Sequence, residues 1–441
     1  MKTVKKEIDA NKCYAFADTV IKPFEDVFLV IAPNTANWLV LKNDQVEMFQ
    51  QLNTGKAIKE VIKELPAENP QGMQVLVDLL TQIEAKKFYE IVNIKDISKN
   101  LVFYLTNSCN LRCPHCYMFA GEKAGMELDF GQIVNILNEF KILGGTNVTF
   151  SGGEVTLRSD LLGVLKVAKE LGLINTVLTN GTLWTEDMVR LAAPFIDEVQ
   201  VSIDGYDELS NSRIRGKGNF SKALQAIDWF YSYGTRISVA FTPLFDGMED
   251  FIQGFPNFAR RLLESYPKNV QLKLNLEIIK GRSVNLTDSE NEIYKSKLKT
   301  MMETVYPGYY RNTFALNHHN HLIVDNCGYG EITIGPDGEV YFCNRIYEIT
   351  SIGNVKKLDF KQILMLSEQT KHETSVDFLT PCNKCDLKYI CGGGCRIKYV
   401  PNLSLNDHTG KVIVRKDCDE SYKEYFYRKM VECNYLFYGE V

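Results

Sequence analysis

Between Leu101 and about residue 305, short apolar runs alternate with amphipathic stretches, and this alternation restricts the fold more than any other feature of the chain. The runs are Leu101–Thr106, Asn147–Phe150, Asn175–Leu178, Glu198–Val201, Ile237–Phe241 and Gln271–Leu274. Stretches near 130–143, 160–171, 185–193, 220–233, 248–264 and 289–304 carry apolar residues at helical spacing. Strands joined through helices run parallel, because the crossover returns the chain to the edge it left. The order therefore predicts an α/β fold of six β/α repeats, doubly wound or curled into a partial TIM-like barrel. In either form chemistry belongs at the C-terminal strand ends.

The first run leads into Cys109-Asn110-Leu111-Arg112-Cys113-Pro114-His115-Cys116, a C-x3-C-x2-C spacing followed by Tyr117. Three thiolates suit three corners of a cubane iron–sulfur cluster and leave its fourth iron free to chelate a small molecule. A ferredoxin-type cluster or a structural zinc wants a fourth ligand nearby. Cysteines that only pack, or that bind zinc, are the plainer alternatives.

The next strand ends are polar. Ser151-Gly152-Gly153-Glu154 closes the second run, where paired glycines admit a close backbone approach and a carboxylate can meet an ammonium group. Thr179-Asn180-Gly181-Thr182 closes the third and Ser202-Ile203-Asp204-Gly205 the fourth. Arg215 then offers a guanidinium suited to a carboxylate. With these motifs in succession the region resembles the radical S-adenosylmethionine (SAM) enzymes. The resemblance implies SAM on the open iron, with its methionine amino group on the Gly-Gly-Glu segment. It implies cofactor contacts from Tyr117, Ser151, Gly152, Gly153, Glu154, Asn180, Ser202, Asp204 and Arg215, and singles out no catalytic side chain.

From about residue 306 the cysteines become dense. Cys327 comes first, then Cys343 at the end of Gly338-Glu339-Val340-Tyr341-Phe342-Cys343, then Cys382, Cys385, Cys391, Cys395 and Cys418. Paired zinc knuckles are one reading, since C-x2-C also suits tetrahedral zinc. The whole pattern resembles the SPASM domain, an iron–sulfur extension of radical SAM enzymes. That resemblance implies two auxiliary 4Fe–4S clusters and so three clusters in all. Cys327, Cys343 and Cys395 would serve the nearer auxiliary cluster, and Cys382, Cys385, Cys391 and Cys418 the farther. One departure stands out: no cysteine lies between Gly328 and Phe342, where many relatives supply a fourth ligand. Cys433, Cys13 and His318-His319-Asn320-His321 are left unassigned, expected as packed or solvated residues.

The first 95 residues read as a small α/β module. Val27–Ile31 and Trp38–Leu41 are strand-like across a Pro33-Asn34-Thr35 turn, and helical patterns follow over Val46–Leu52, Ile58–Leu65 and Leu76–Ile83. Phe88–Ile91 reads as a final short strand. A strand pair, three helices and a wing outline a winged helix. Its second helix nevertheless mixes Lys56, Lys59 and Lys63 with Glu60 and Glu64, a poor face for phosphates. The order of elements is similar to the RiPP recognition element, which implies binding of a precursor peptide's leader as an added strand. A merely structural cap is the alternative.

At 441 residues the chain exceeds one ordinary core, and three domains are expected, over 1–95, 99–305 and 306–441. A net charge of −5 without block asymmetry and the lack of a long apolar run argue against nucleic-acid and membrane partners. No apolar export segment opens the sequence, and 12 cysteines in short-spaced groups argue for metal ligation in the cytoplasm rather than disulfides. The resemblances imply a radical SAM peptide maturase. Such an enzyme abstracts hydrogen with a 5′-deoxyadenosyl radical, forms a thioether or other crosslink in a precursor peptide, and draws electrons from a flavodoxin or ferredoxin. Two rivals are a maturase acting on a folded protein, as sulfatase-maturing relatives do, and a non-catalytic peptide-binding electron carrier.

Overall fold

The computed structural model describes residues 9–66, 70–90, 99–122, 125–278, 280–308, 327–400 and 413–434. The N-terminal part begins with an antiparallel sheet, β1 (Val20–Phe24), β2 (Val27–Ala32) and β3 (Asn37–Leu41), paired in that order. Three helices follow: α1 (Asn43–Asn53), α2 (Ile58–Glu64) and α3 (Pro70–Lys86). Just before α2, Lys56 is held by Glu64 at 2.5 Å, and on the helix Lys59 is held by Asn11 at 2.8 Å, so these two basic side chains are engaged within the module.

Both faces of this sheet are covered. Val30, Ala32, Leu39 and Leu41 pack on Phe49, Leu52, Leu76 and Ile83 of the helices. Leu29, Ile31, Trp38 and Val40 pack on Leu387, Ile390, Tyr427 and Met430 from the far end of the chain. The Trp38 indole donates to the Met430 carbonyl at 3.3 Å. Two-sided burial explains why β2 and β3 read as continuous apolar runs rather than alternating ones. The edge strand β1, with Lys22 and Pro23, gave no such signal. The strand expected over Phe88–Ile91 is a turn through Phe88–Tyr89 instead. Phe88 is drawn into the core against Phe16 and Phe49, and Ile91 lies outside the described residues.

The barrel strands are β4 (Asn100–Tyr104), β5 (Asn147–Ser151), β6 (Ile174–Thr179), β7 (Glu198–Ser202), β8 (Arg236–Phe241) and β9 (Val270–Leu274). They pair in chain order and all in parallel. Helices α4 (Phe130–Ile142), α5 (Leu161–Glu170) and α6 (Glu186–Ala192) pack outside, as do α8 (Asn219–Ser232), α9 (Met248–Ser265) and α10 (Asp288–Val305). This is the expected partial TIM-like barrel. The exception is α7 (Glu208–Arg215), whose polar sequence gives no apolar stripe.

The cysteine-rich region continues the barrel sheet. β10 (Ile332–Ile334) pairs in parallel with β4, β11 (Glu339–Tyr341) pairs antiparallel with β10, and β12 (Gly353–Asn354) completes nine strands. Helix α11 (Phe360–Glu373) follows, setting Phe360 and Ile363 into the barrel core. β13 (Leu379–Thr380), β14 (Ile413–Val414) and α12 (Glu420–Glu432) complete the region. Among the described residues no helix is long and apolar enough to cross a membrane.

Trp38→Ala empties the seam between the N-terminal sheet and α12, at an expected cost of about 3–5 kcal/mol. The denaturant midpoint followed by far-UV circular dichroism should fall accordingly. An unchanged midpoint would mean the seam carries no stability.

Candidate functional site

The loop leaving β4 is bound on three sides. The Cys109 amide donates to Gly121 O at 2.9 Å and the Gly121 amide to Asn107 O at 2.9 Å, so the loop closes on itself. Below it, the Gly153 amide donates to Thr106 O at 2.7 Å and the Glu154 amide to Ser108 O at 2.8 Å. From the segment after β9, Ser283 donates to Pro114 O at 2.9 Å and Arg282 donates to Ala120 O. The contact under the loop is where the glycine pair matters. A Cβ on Gly152 would lie 2.4 Å from Thr106 O, and one on Gly153 would lie 2.2 Å from Ser108 O. Their freedom is thus used first by the cysteine loop itself, whereas the sequence suggested a ligand.

The other strand ends converge under the same loop. Ser151 ends β5 with its carbonyl accepting from Leu105 N at 2.8 Å. Glu154 is fully buried and accepts from Thr179 Oγ1 and Asn180 N, both at 2.7 Å, and from Thr156 Oγ1 at 2.8 Å. Burial pushes its pKa up, and these donors oppose the shift. Asn180 Nδ2 donates to Asn110 Oδ1 at 2.9 Å, tying the end of β6 to the cysteine motif. Ser202 sits half-buried at the end of β7, opposite Ala240.

Asp204 is buried and makes an ion pair with Arg215 Nε at 2.6 Å. It accepts from Thr242 N at 2.7 Å and faces His115 Nε2 at 3.3 Å. Arg215 was expected to meet a ligand carboxylate; its Nε is committed to Asp204 while its charge also reaches Cys109 and Cys113. Sequence reasoning passed over His115, Glu127 and the Gly281–Ser283 clamp. Glu127 accepts from Thr106 Oγ1 and Asn107 N at 2.9 Å each, and nothing in its sequence context marks it.

The seven later cysteines fall into two groups in space. Cys327, Cys343 and Cys395 line a cavity of about 420 Å³ together with Tyr329, Glu331 and Arg345. Cys382, Cys385, Cys391 and Cys418 line another with Arg415 and Tyr422. The first group lies close to the β4 loop. Tyr117, expected beside a cofactor, shares a 2.7 Å hydrogen bond with the Tyr104 hydroxyl, and Tyr104 reaches the carbonyl of Asn344, next to Cys343, at 2.8 Å. Cys433 belongs to neither group: it is buried with Trp38 and Met430, its thiol 3.6 Å from Met430 O. Cys13 is exposed, and His318–His321 lie outside the described residues.

Burial pushes the Cys113 thiol up to about 11, with Asp204, Cys109 and Cys116 adding and Arg215 opposing. Burial likewise raises Cys109, Cys343, Cys382 and Cys418. Buried thiols gathered in sets give up their protons to a metal centre. A zinc ion would draw its sulfurs to about 2.3 Å from one point. Among the described residues no three His, Cys, Asp or Glu side chains converge on such a single-ion site. The two later sets, of three and four cysteines, each line a cavity, an arrangement that fits iron–sulfur clusters with each sulfur on its own iron.

Gly153→Ala pushes a methyl group into the Ser108 carbonyl and should displace the cysteine loop. Iron and sulfide should then fall by about one cluster's worth, with the C-terminal iron retained. A variant that keeps the full parent content would show that the loop tolerates the displacement.

Against known proteins, the family model of the radical SAM superfamily matches residues 103–252, and that of the SPASM iron–sulfur cluster-binding domain matches residues 326–386. An AdoMet-dependent heme synthase of Nitratidesulfovibrio vulgaris is 27% identical over 328 residues, 68% of this chain and 88% of that protein. The mycofactocin maturase MftC of Mycolicibacterium smegmatis is 26% identical over 323 residues, 69% of this chain and 80% of that protein. A solved structure, native anSMEcpe with bound AdoMet, superposes with a TM-score of 0.56 at 18% identity, covering 76% of this chain and 99% of that one, which speaks to the fold. With this barrel and the cysteine loop at its strand ends, residues 103–252 form a radical SAM domain and residues 326–386 a SPASM domain, and the enzyme works with S-adenosylmethionine and iron–sulfur clusters.

Proposed function

We propose that this enzyme modifies a ribosomally made precursor peptide, gripping its leader on the N-terminal sheet and forming a thioether or other intramolecular crosslink. The observation that carries this reading is the sheet-and-three-helix module seated on the cysteine-rich region through Trp38 and Leu29. Among the described residues neither outer strand, β1 nor β3, has a partner on its far edge, so an extended leader can add there by main-chain pairing. The similarity to a mycofactocin maturase agrees with a peptide substrate.

When bound at Cys109, Cys113 and Cys116, the cluster and SAM supply a 5′-deoxyadenosyl radical for hydrogen abstraction. The chain's own work is to orient and to exclude water. Glu154 takes the methionine ammonium, and the outer nitrogens of Arg215 take its carboxylate, with Arg215 Nε steadied by Asp204. Tyr117, Asn180 and Ser202 complete the cofactor wall. Two further 4Fe–4S clusters sit at Cys327, Cys343 and Cys395 and at Cys382, Cys385, Cys391 and Cys418. The nearer one would fill the cavity of about 420 Å³ that its three cysteines line, and three cysteines leave one iron to take a substrate thiol. Cys433 stands in the Trp38 core and does not close that site. A flavodoxin or ferredoxin in the cytoplasm supplies electrons.

The full-length chain is the right object for the test, because deleting the module strips apolar cover from Leu387, Ile390 and Tyr427. Adding the precursor peptide should slow amide hydrogen exchange in 20–24 or 37–41. Binding with unchanged exchange in both strands would place the leader elsewhere. Cys433→Ala should keep full iron and sulfide; loss of one cluster's worth would end the open-site reading.

The similarity to a heme synthase favours a second reading, a tetrapyrrole substrate. An iron porphyrin that binds would shift its Soret band on titration, and the peptide reading expects no shift.

A further inference from the structure

Each of the three cysteine sets has at least one arginine beside it, and these guanidinium groups are compensated differently. Arg215, near Cys109 and Cys113, pairs with the buried Asp204 at 2.6 Å, so its charge is matched inside the barrel. Arg345 stands 4.0 Å from Cys395 Sγ, but two carboxylates face it, Glu348 at 2.6 Å and Glu277 at 3.6 Å. Arg396, also at that nearer site, gives its guanidinium to the carbonyls of Thr374, Gly392 and Gly394.

Arg415 differs. Its side chain is 2% exposed, and Nη1 donates to Cys391 Sγ at 3.5 Å. Its Cζ lies 4.6 Å above the Tyr422 ring, and its backbone amide is fixed to Thr380 O at 2.8 Å by the β13–β14 pairing. Room for the group is made by Gly394, where a Cβ would stand 3.2 Å from Arg415 Cζ, at a φ of +77° that itself favours glycine. Among the described residues its carboxylate partner is Asp417 at 2.7 Å, which is half-exposed, so solvent screens that negative charge but not the buried positive one.

We propose that Arg415 sets the reduction potential of the cluster at Cys382, Cys385, Cys391 and Cys418, holding it above the other two so that this cluster is the enzyme's electron sink. The proposal rests on reading those four cysteines as cluster ligands. The physical ground is general: one-electron reduction adds negative charge, a buried cation nearby favours the reduced form, and a hydrogen bond to a ligand sulfur acts in the same direction. A merely structural arginine would fill the same space without biasing the electron.

The test is an electron paramagnetic resonance redox titration of the reconstituted full-length protein, with iron and sulfide measured in parallel. Cys382→Ala identifies the far cluster by the signal and iron it removes; a variant that keeps all its iron overturns the ligand reading rather than the role of Arg415. In the parent, the far cluster's signal should be the first to emerge as the potential is lowered, and its emerging last would overturn the proposal. Arg415→Gln, if fully loaded, should lower the reduced-to-oxidised ratio of this cluster about tenfold at fixed potential, a shift of about 59 mV for one electron. The conservative Arg415→Lys should fall between, and a fully loaded Gln variant with the parent midpoint overturns the idea. If Arg415→Gln fails to load, Asp417→Asn decides. It removes the screened counter-charge and should raise the midpoint, whereas an unchanged or lowered midpoint overturns the proposal.

Discussion

The site depends on one close approach: the cysteine loop lies directly on the backbone of Gly152 and Gly153. The amides of Gly153 and Glu154 donate into the loop's carbonyls at 2.7 and 2.8 Å, a fit that no side chain at either glycine permits. That contact fixes the height of Cys109 above the strand ends. It also turns Glu154 inward, where Thr156, Thr179 and Asn180 satisfy its buried carboxylate. Loop position and carboxylate position are therefore one decision. The glycine pair is structural first and bears on the ligand through what it positions.

A second constraint joins the regions. Because β10 pairs in parallel with β4, the hairpin leading to Cys343 grows from the strand that delivers Cys109. β11 runs back along β10, so Cys343 leaves the sheet level with the start of β4, and the Tyr104 hydroxyl, bonded to that of Tyr117, ties the following Asn344 to the cysteine loop. A cysteine-rich domain on a flexible tether would have no fixed distance to the first site. Sheet continuity supplies it.

The barrel was legible because each strand–helix repeat buries a continuous apolar run and a periodic stripe, and such patterns survive in local sequence. The same holds for the cysteine spacings and the motif at 151–154. What escaped reading arises from contacts between distant segments. Helix α7 has no apolar stripe, since it exists to bring Arg215 over Asp204. Strand β1 is an edge and so looks polar. Phe88 looked like a strand residue because aromatic character alone does not separate a strand from a core plug. Glu127 and Arg415 are single charged residues whose role comes from what is folded around them, and spacing carries no trace of that.

The N-terminal sheet shows how far such long-range burial reaches. Its inner face shares a core with Leu387 and Ile390, on the segment running from Cys385 to Cys391, and with Tyr427 on α12. Tyr427 in turn donates to Asp386, beside Cys385, at 2.7 Å. A strand that pairs with either edge of this sheet stiffens a wall on which two cysteines of the farther set rest. Interiors this tightly packed transmit small displacements rather than absorbing them. The module is thus packed continuously with the segment that carries two of the C-terminal cysteines.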